Sequence, residues 1–91
     1  MRFELLPGHD YIQSGIEDLE RGVESVSALL VSIGAPRLRQ LGLPVPDDVL
    51  PLPEHRLYEL LRLEDADAAH SRYNALIRRL VSFERAAECE K

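Results

Sequence analysis

Four arginines, Arg72, Arg78, Arg79 and Arg85, crowd one short stretch of the chain together with Tyr73 and Asn74. A guanidinium can grip a phosphate or a carboxylate through two parallel N–H donors. Arg72, Arg78, Arg79, Arg85 and Tyr73 are therefore the candidate interaction residues, suited to gripping the phosphates of nucleic acid. Arg37 and Arg39 join this strip if the short segment that holds them folds nearby. The competing account pairs the strip with carboxylates of the same chain, which makes it part of the scaffold and leaves nothing to bind.

Other reactive side chains are less well placed. Asp67-x-x-His70 puts a carboxylate and an imidazole on one helical face, as in carboxylate-bridged metal bundles, but such sites need inward-pointing ligands and these two fall off the main seam or at its edge. His9 and His55 fall at predicted helix starts, beside Asp10 and Glu54. The pairs Glu17-x-x-Glu20 and Glu64-x-x-Asp67 are similar to those with which all-α nucleotide pyrophosphohydrolases hold magnesium, a hard cation needing converging oxygens. That family separates its pairs by a much shorter gap, and the second pair here falls at a predicted helix break. Cys89 has Glu88 and Glu90 as neighbours, which disfavour a thiolate. No Gly-x-Ser-x-Gly turn and no Gly-rich phosphate loop occurs. The sequence thus assigns no catalytic residue, no cofactor and no metal ligand, and it reads as a non-enzyme.

The elements that must position the arginine strip follow from periodicity. Ile12, Ile16, Leu19, Val23, Val26, Leu30 and Ile33 step by 4 and 3 without interruption, which predicts one long helix over about 10–33. Asp10 and Gln13 match a capping box at its start, and Gly34 followed by Pro36 marks its end. Gly15 and Gly22 flank this stripe, where a tight helix–helix contact is the simplest reason for a mid-helix glycine. Ala66, Ala69, Tyr73, Leu76, Leu80, Phe83 and Ala87 form a second stripe of the same kind.

Between the stripes, Pro36 to Leu41 predicts a short helical segment ended by Gly42. Pro44, Pro46, Pro51 and Pro53 then forbid a regular helix, and their apolar neighbours predict an extended, packed crossover over 43–53. A shorter middle helix begins at Pro53 and carries Leu57, Tyr58, Leu60, Leu61 and Leu63. Its apolar residues are out of phase with the second stripe, so a break falls between Leu63 and Asp67, with Asp65 or Asp67 as cap. Met1 to Leu6 reads as a strand or an extra helical turn.

Length and composition bound the rest. Ninety-one residues fit a single helical domain over 1–91, and 5% aromatics without Trp imply an aliphatic core. A net charge of −5 weighs against a general nucleic-acid binder. One cysteine excludes an intrachain disulfide, and no apolar run spans a bilayer, so the expectation is a cytoplasmic protein. Ten Arg against one Lys fits a GC-rich bacterial genome. The fold class expected is all-α: two long heptad-patterned antiparallel helices, a shorter middle helix and a Pro-rich crossover, completed as a helical-bundle dimer. The 10–33 stretch sums to −4 and the 66–87 stretch to +2, so the two would attract. The function expected is a non-catalytic protein–protein interaction or oligomerisation module, acting as a homodimer or on a helical protein partner. The alternative is a small nucleic-acid-associated regulator using the arginine face, and a weaker one a metal-dependent nucleotide-hydrolysing enzyme.

Overall fold

The computed structural model describes residues 3–90, Glu90 by its backbone alone. Met1 and Arg2, and with them part of the 1–6 segment, lie outside the described residues. Phe3–Leu5 make one 3-10 turn, followed by α1 (His9–Glu20), α2 (Val26–Gln40), α3 (Pro53–Glu64) and α4 (Ala69–Glu90). Among the described residues the fold is all-α, with no strand.

The single long helix expected over 10–33 is two helices. Gly22 takes the left-handed conformation at φ +72°. Its N–H donates to the Leu19 carbonyl at 3.1 Å, and that of Val23 to Asp18 at 2.8 Å. These are the two bonds of a Schellman ending. Ser25 then caps α2, accepting the Ala28 N–H at 3.0 Å, while its own hydroxyl donates to Asp18 at 2.6 Å. Arg21 holds the other Asp18 oxygen at 2.9 Å. The 4-3 stripe crosses this turn only in the letters: Val23, nominally on the seam, is 45% exposed. The long antiparallel pair expected with the last helix therefore lacks its first member.

Once reversed, α1 and α2 cross closely. A Cβ on Gly15 would lie 2.3 Å from the Ser27 carbonyl oxygen and 2.4 Å from Val31 Cγ2. Gly15 is thus the tight contact that its place beside the stripe suggests, whereas Gly22 is a helix end. The capping box does not form either. Gly8, at φ +83°, precedes α1 without a side-chain cap, and Gln13 donates instead to Glu17 at 3.1 Å.

α2 does not stop at Gly34. That glycine is buried mid-helix, where an added Cβ would sit 2.8 Å from Leu80 of α4. The helix runs through Pro36, which gives up one backbone bond on an exposed side. Buried Ala35 and Leu38 on either side hold it in place. Residues 36–40 are helical as expected, but continuous with α2, which ends at the Leu41 cap and at Gly42 with φ +99°. Ala28, Leu29, Leu30, Val31, Ala35 and Leu38 are all buried, so α2 is covered nearly all round by α1, α3 and α4. Its net apolar surface cannot be matched by one stripe.

The crossover packs only in part: Leu43 and Val45 are buried and Val49 and Leu50 partly so, whereas Leu52 is 72% exposed. Ser32 ties it to α2. Its Oγ accepts the Leu50 N–H at 3.2 Å and donates to the Ala28 carbonyl at 2.8 Å. α3 and α4 meet at the predicted break, where Asp65 accepts the N–H groups of Asp67 and Ala68 at 3.1 and 3.4 Å. On α4, Ala69, Leu76, Leu80, Phe83 and Ala87 are buried and Tyr73 partly so, while Ala66 stays outside the helix and exposed.

Two measurements check this packing. A straight helix over 10–33 would gain about 1 kcal/mol from Ala at either Gly15 or Gly22. The folded-back chain predicts losses instead: roughly 1–3 kcal/mol or more for Gly15→Ala through overpacking, and about 1–2 kcal/mol for Gly22→Ala through its left-handed φ. Urea titrations of both variants decide between them.

Glu84 supplies the second check. Burial beside Gly34 pushes its carboxyl above the ordinary 4.5, and Arg37 only partly opposes this. The protonated form is therefore favoured by folding. Its contribution is fully present below the ordinary glutamate range and is lost as pH rises through the raised pKa. Glu84→Gln should match the wild type in stability at about pH 4 or below and exceed it at neutral pH, as read by thermal melts.

Candidate docking groove

The reversal at Gly22 brings the first turn of α1 against α4. Gly8 makes the approach close, since a Cβ there would lie 3.3 Å from the Arg79 carbonyl oxygen and 3.7 Å from Phe83 Cβ. One turn further on, Tyr11 carries its ring under Arg79, whose guanidinium carbon stands 5.0 Å from the ring centroid. This stacking holds a long cationic side chain against the surface it borders.

Tyr11, Val26, Arg72, Ala75, Leu76 and Arg79 together line an open groove of about 300 Å³ where α1, the start of α2 and α4 meet. Val26, Ala75 and Leu76 give it an apolar floor, and the two arginines stand at its edge. Arg72 is held by Glu64 at 2.8 Å, both side chains remaining about half exposed. Arg79 has no carboxylate partner among the described residues.

The five candidate interaction residues divide three ways. Arg72 and Arg79 border the groove. Arg78 and Arg85 are exposed further round α4 and make no ion pair among the described residues. Tyr73 belongs elsewhere, half-buried on the α3 side with its ring 5.7 Å from Tyr58. Burial raises its phenol pKa, and the Glu54 charge adds to the effect. Ser71, Ala75, Arg78, Ser82 and Arg85 follow one another at helical spacing, all exposed, with Arg72 and Arg79 alongside and no carboxylate between them.

The expected ion pairing between the acidic 10–33 stretch and the arginine helix is absent among the described residues. Glu24 instead takes Arg56 of α3 in a bidentate pair at 2.6 and 2.7 Å, which lowers the Glu24 pKa. Asp18 is held by Ser25 and Arg21, and its pKa is lowered by those two hydrogen bonds. Folding back at Gly22 sends these carboxylates to the turn and to α3. Arg37 and Arg39 do not extend the strip either. Arg37 pairs with Glu88, and Arg39 donates to the carbonyls of Val45, Pro46 and Asp47.

The remaining candidates stay apart. His55 contacts Glu59 at 2.7 Å, and the His70 ring nitrogen lies 3.2 Å from the Asn74 amide nitrogen. Glu17 and Glu20 lie on the exposed side of α1, Glu64 at the end of α3 and Asp67 in the turn after it. Among the described residues no three His, Cys, Asp or Glu side chains converge as a metal site. No helix there is long and apolar enough to cross a membrane.

Tyr11, Val26, Ala75 and Leu76 were not legible as site residues. Tyr11 and Val26 meet α4 only because the chain reverses between them. Comparison with family models, with curated proteins and with solved structures returns no match, so the geometry alone bears on function.

The Tyr11–Arg79 stack can be tested directly. Arg79 side-chain protons should resonate upfield of ordinary arginine in proton NMR, and Tyr11→Leu should return them. Unshifted protons in the wild type would mean that the groove does not close as described.

Proposed function

We propose that this chain is a non-catalytic helical interaction module of the cytosol, whose groove takes an acidic, leucine-bearing segment of another polypeptide. The observation that carries this reading is an apolar floor bordered by two guanidiniums, one of them without a carboxylate partner. Such a site desolvates one aliphatic side chain and pairs the carboxylates beside it. Tyr and Arg are the residues in which binding energy concentrates at protein interfaces, and both are present here on rigid helices. Local charge favours the same partner: Arg72 and Arg79 both line the groove, against an overall chain charge of −5. Interfacial charge of this kind contributes to orientation and association rate more than to raw affinity.

The stripes themselves are not offered to a partner. Ile12, Ile16 and Leu19 of α1 and Leu76, Leu80 and Phe83 of α4 are buried within one chain. Docking through the seams would require unfolding it, so the groove takes that role.

A second reading has its own support. Arg78 and Arg85 face solvent on α4 and make no ion pair among the described residues, as phosphate-gripping side chains would. Nucleic acid would then lie along α4 and not in the groove.

One titration separates the two. Fluorescence anisotropy is followed with a labelled helical peptide of alternating Leu and Glu, its Lys-for-Glu counterpart and a short DNA duplex. The acidic peptide should bind and its basic counterpart should not. Arg79→Ala should weaken binding about tenfold or more, the scale of one charge-assisted hydrogen bond. Acidic-peptide binding that ignores both Arg72→Ala and Arg79→Ala, or none at all, overturns the proposal. Duplex binding that is lost in Arg78→Ala and Arg85→Ala establishes the second reading in its place.

A further inference from the structure

Among the described residues, Leu63 at the end of α3 is the barest of the large apolar side chains, with 83% of its surface open. Its surroundings are unusual for a bare leucine. Glu59 lies one turn before it, and Glu64, Asp65 and Asp67 follow; Arg62 stands beside it, while Glu64 is held by Arg72 and Glu59 contacts His55. Ala66, also exposed, extends the same corner. The α3–α4 corner is thus an exposed aliphatic patch among carboxylates, with Leu63 and Ala66 bordering a shallow hollow beside Glu59 and Arg62. The groove of α1, α2 and α4 has the inverse composition, an aliphatic floor set between guanidiniums.

Resting on the groove reading above, we infer that the groove's occupant is the Leu63–Asp67 corner of a second copy of this chain. Leu63 would enter over Val26, Ala75 and Leu76. Two groups left over in the single chain would meet there. Asp67 has no side-chain partner among the described residues, and Arg79 has no carboxylate. The pairing has a precedent inside the molecule, where Glu64 of the same corner already binds Arg72 at 2.8 Å.

The spacing permits both contacts at once. Corner and groove both border α4: Asp67 stands in the turn just before the helix begins at Ala69, and Ala75, Leu76 and Arg79 lie along the helix beyond it. A two-fold axis passing midway, near Arg72, puts each corner in the other copy's groove. Such an arrangement is isologous and closes on itself as a dimer, without propagating into a filament. Two corner-and-groove contacts are small beside the roughly 800 Å² per partner of a standard interface. The dimer is therefore concentration-dependent, and it differs from a shared helical core in leaving each chain's interior intact.

Sedimentation equilibrium tests this on the full chain from about 10 µM to about 1 mM, the range in which an interface of this size should titrate. The mass should rise from 10.3 kDa toward twice that value. Leu63→Glu, Asp67→Arg and Arg79→Asp should each remain monomeric throughout, with unchanged circular dichroism. An equimolar mixture of Asp67→Arg and Arg79→Asp should recover the dimer, because each reversed corner then faces an oppositely charged groove. A wild type that stays at 10.3 kDa overturns the inference. So does a dimer that Leu63→Glu and Arg79→Asp leave untouched. If a monomeric wild type still binds the Leu–Glu peptide, only the identity of the occupant is lost. If it binds neither, the groove reading falls as well.

Discussion

The hydrogen bond from the Ser25 hydroxyl to Asp18, with the left-handed Gly22 between them, closes the reversal on which the remaining architecture rests. It satisfies three demands in five residues. The last carbonyls of α1 find the N–H groups of Gly22 and Val23, and the first N–H groups of α2 find Ser25. Asp18, fixed by Ser25 and Arg21, ties the two ends together. A mid-helix glycine costs about 1 kcal/mol against alanine, whereas the same residue at a left-handed helix end costs little. The chain turns where glycine is an asset.

From that turn follows the central position of α2. Gly15 lets α1 lie against it, Gly34 lets α4 approach it, and Ser32 fastens the crossover to it. A helix covered on nearly every side needs small residues where neighbours come closest and aliphatic ones elsewhere, and Ala28 to Leu38 read that way. The groove is a by-product of the same arrangement. α1, folded back, meets α4 beside the start of α2, and Tyr11, Val26 and Leu76 fail to fill the seam between them. The shortfall leaves an apolar hollow whose walls are the arginines that flank the α4 stripe.

Half of this was legible in the residues. The helix beginning at Pro53, the break after Leu63 and a last helix that buries Ala69, Leu76, Leu80, Phe83 and Ala87 stand where their letters place them. The first stripe did not hold, because the turn happens to preserve the 4-3 rhythm across Val23. Periodicity weighs apolar letters only, whereas the decisive signals were Gly22 followed by Ser25, a helix end and a helix start. α2 is also buried too completely for one stripe to describe. Gly34 and Pro36 looked like a terminus, since nothing local reveals that α4 will need the space above a glycine. Arg72 and Arg79 were identified from charge and spacing, but their groove partners come from three elements and have no local signature.

The account depends on α1 and α2 being two helices face to face. In a nuclear Overhauser spectrum of the unmodified protein, Gly15 Hα and the Val31 methyls should give a strong cross-peak, since the glycine's absent Cβ would lie 2.4 Å from Val31 Cγ2. An uninterrupted helix would hold these two residues roughly 24 Å apart along its axis. Absence of the cross-peak, with continuous helical connectivities through residues 21–25, would contradict the fold and the groove together.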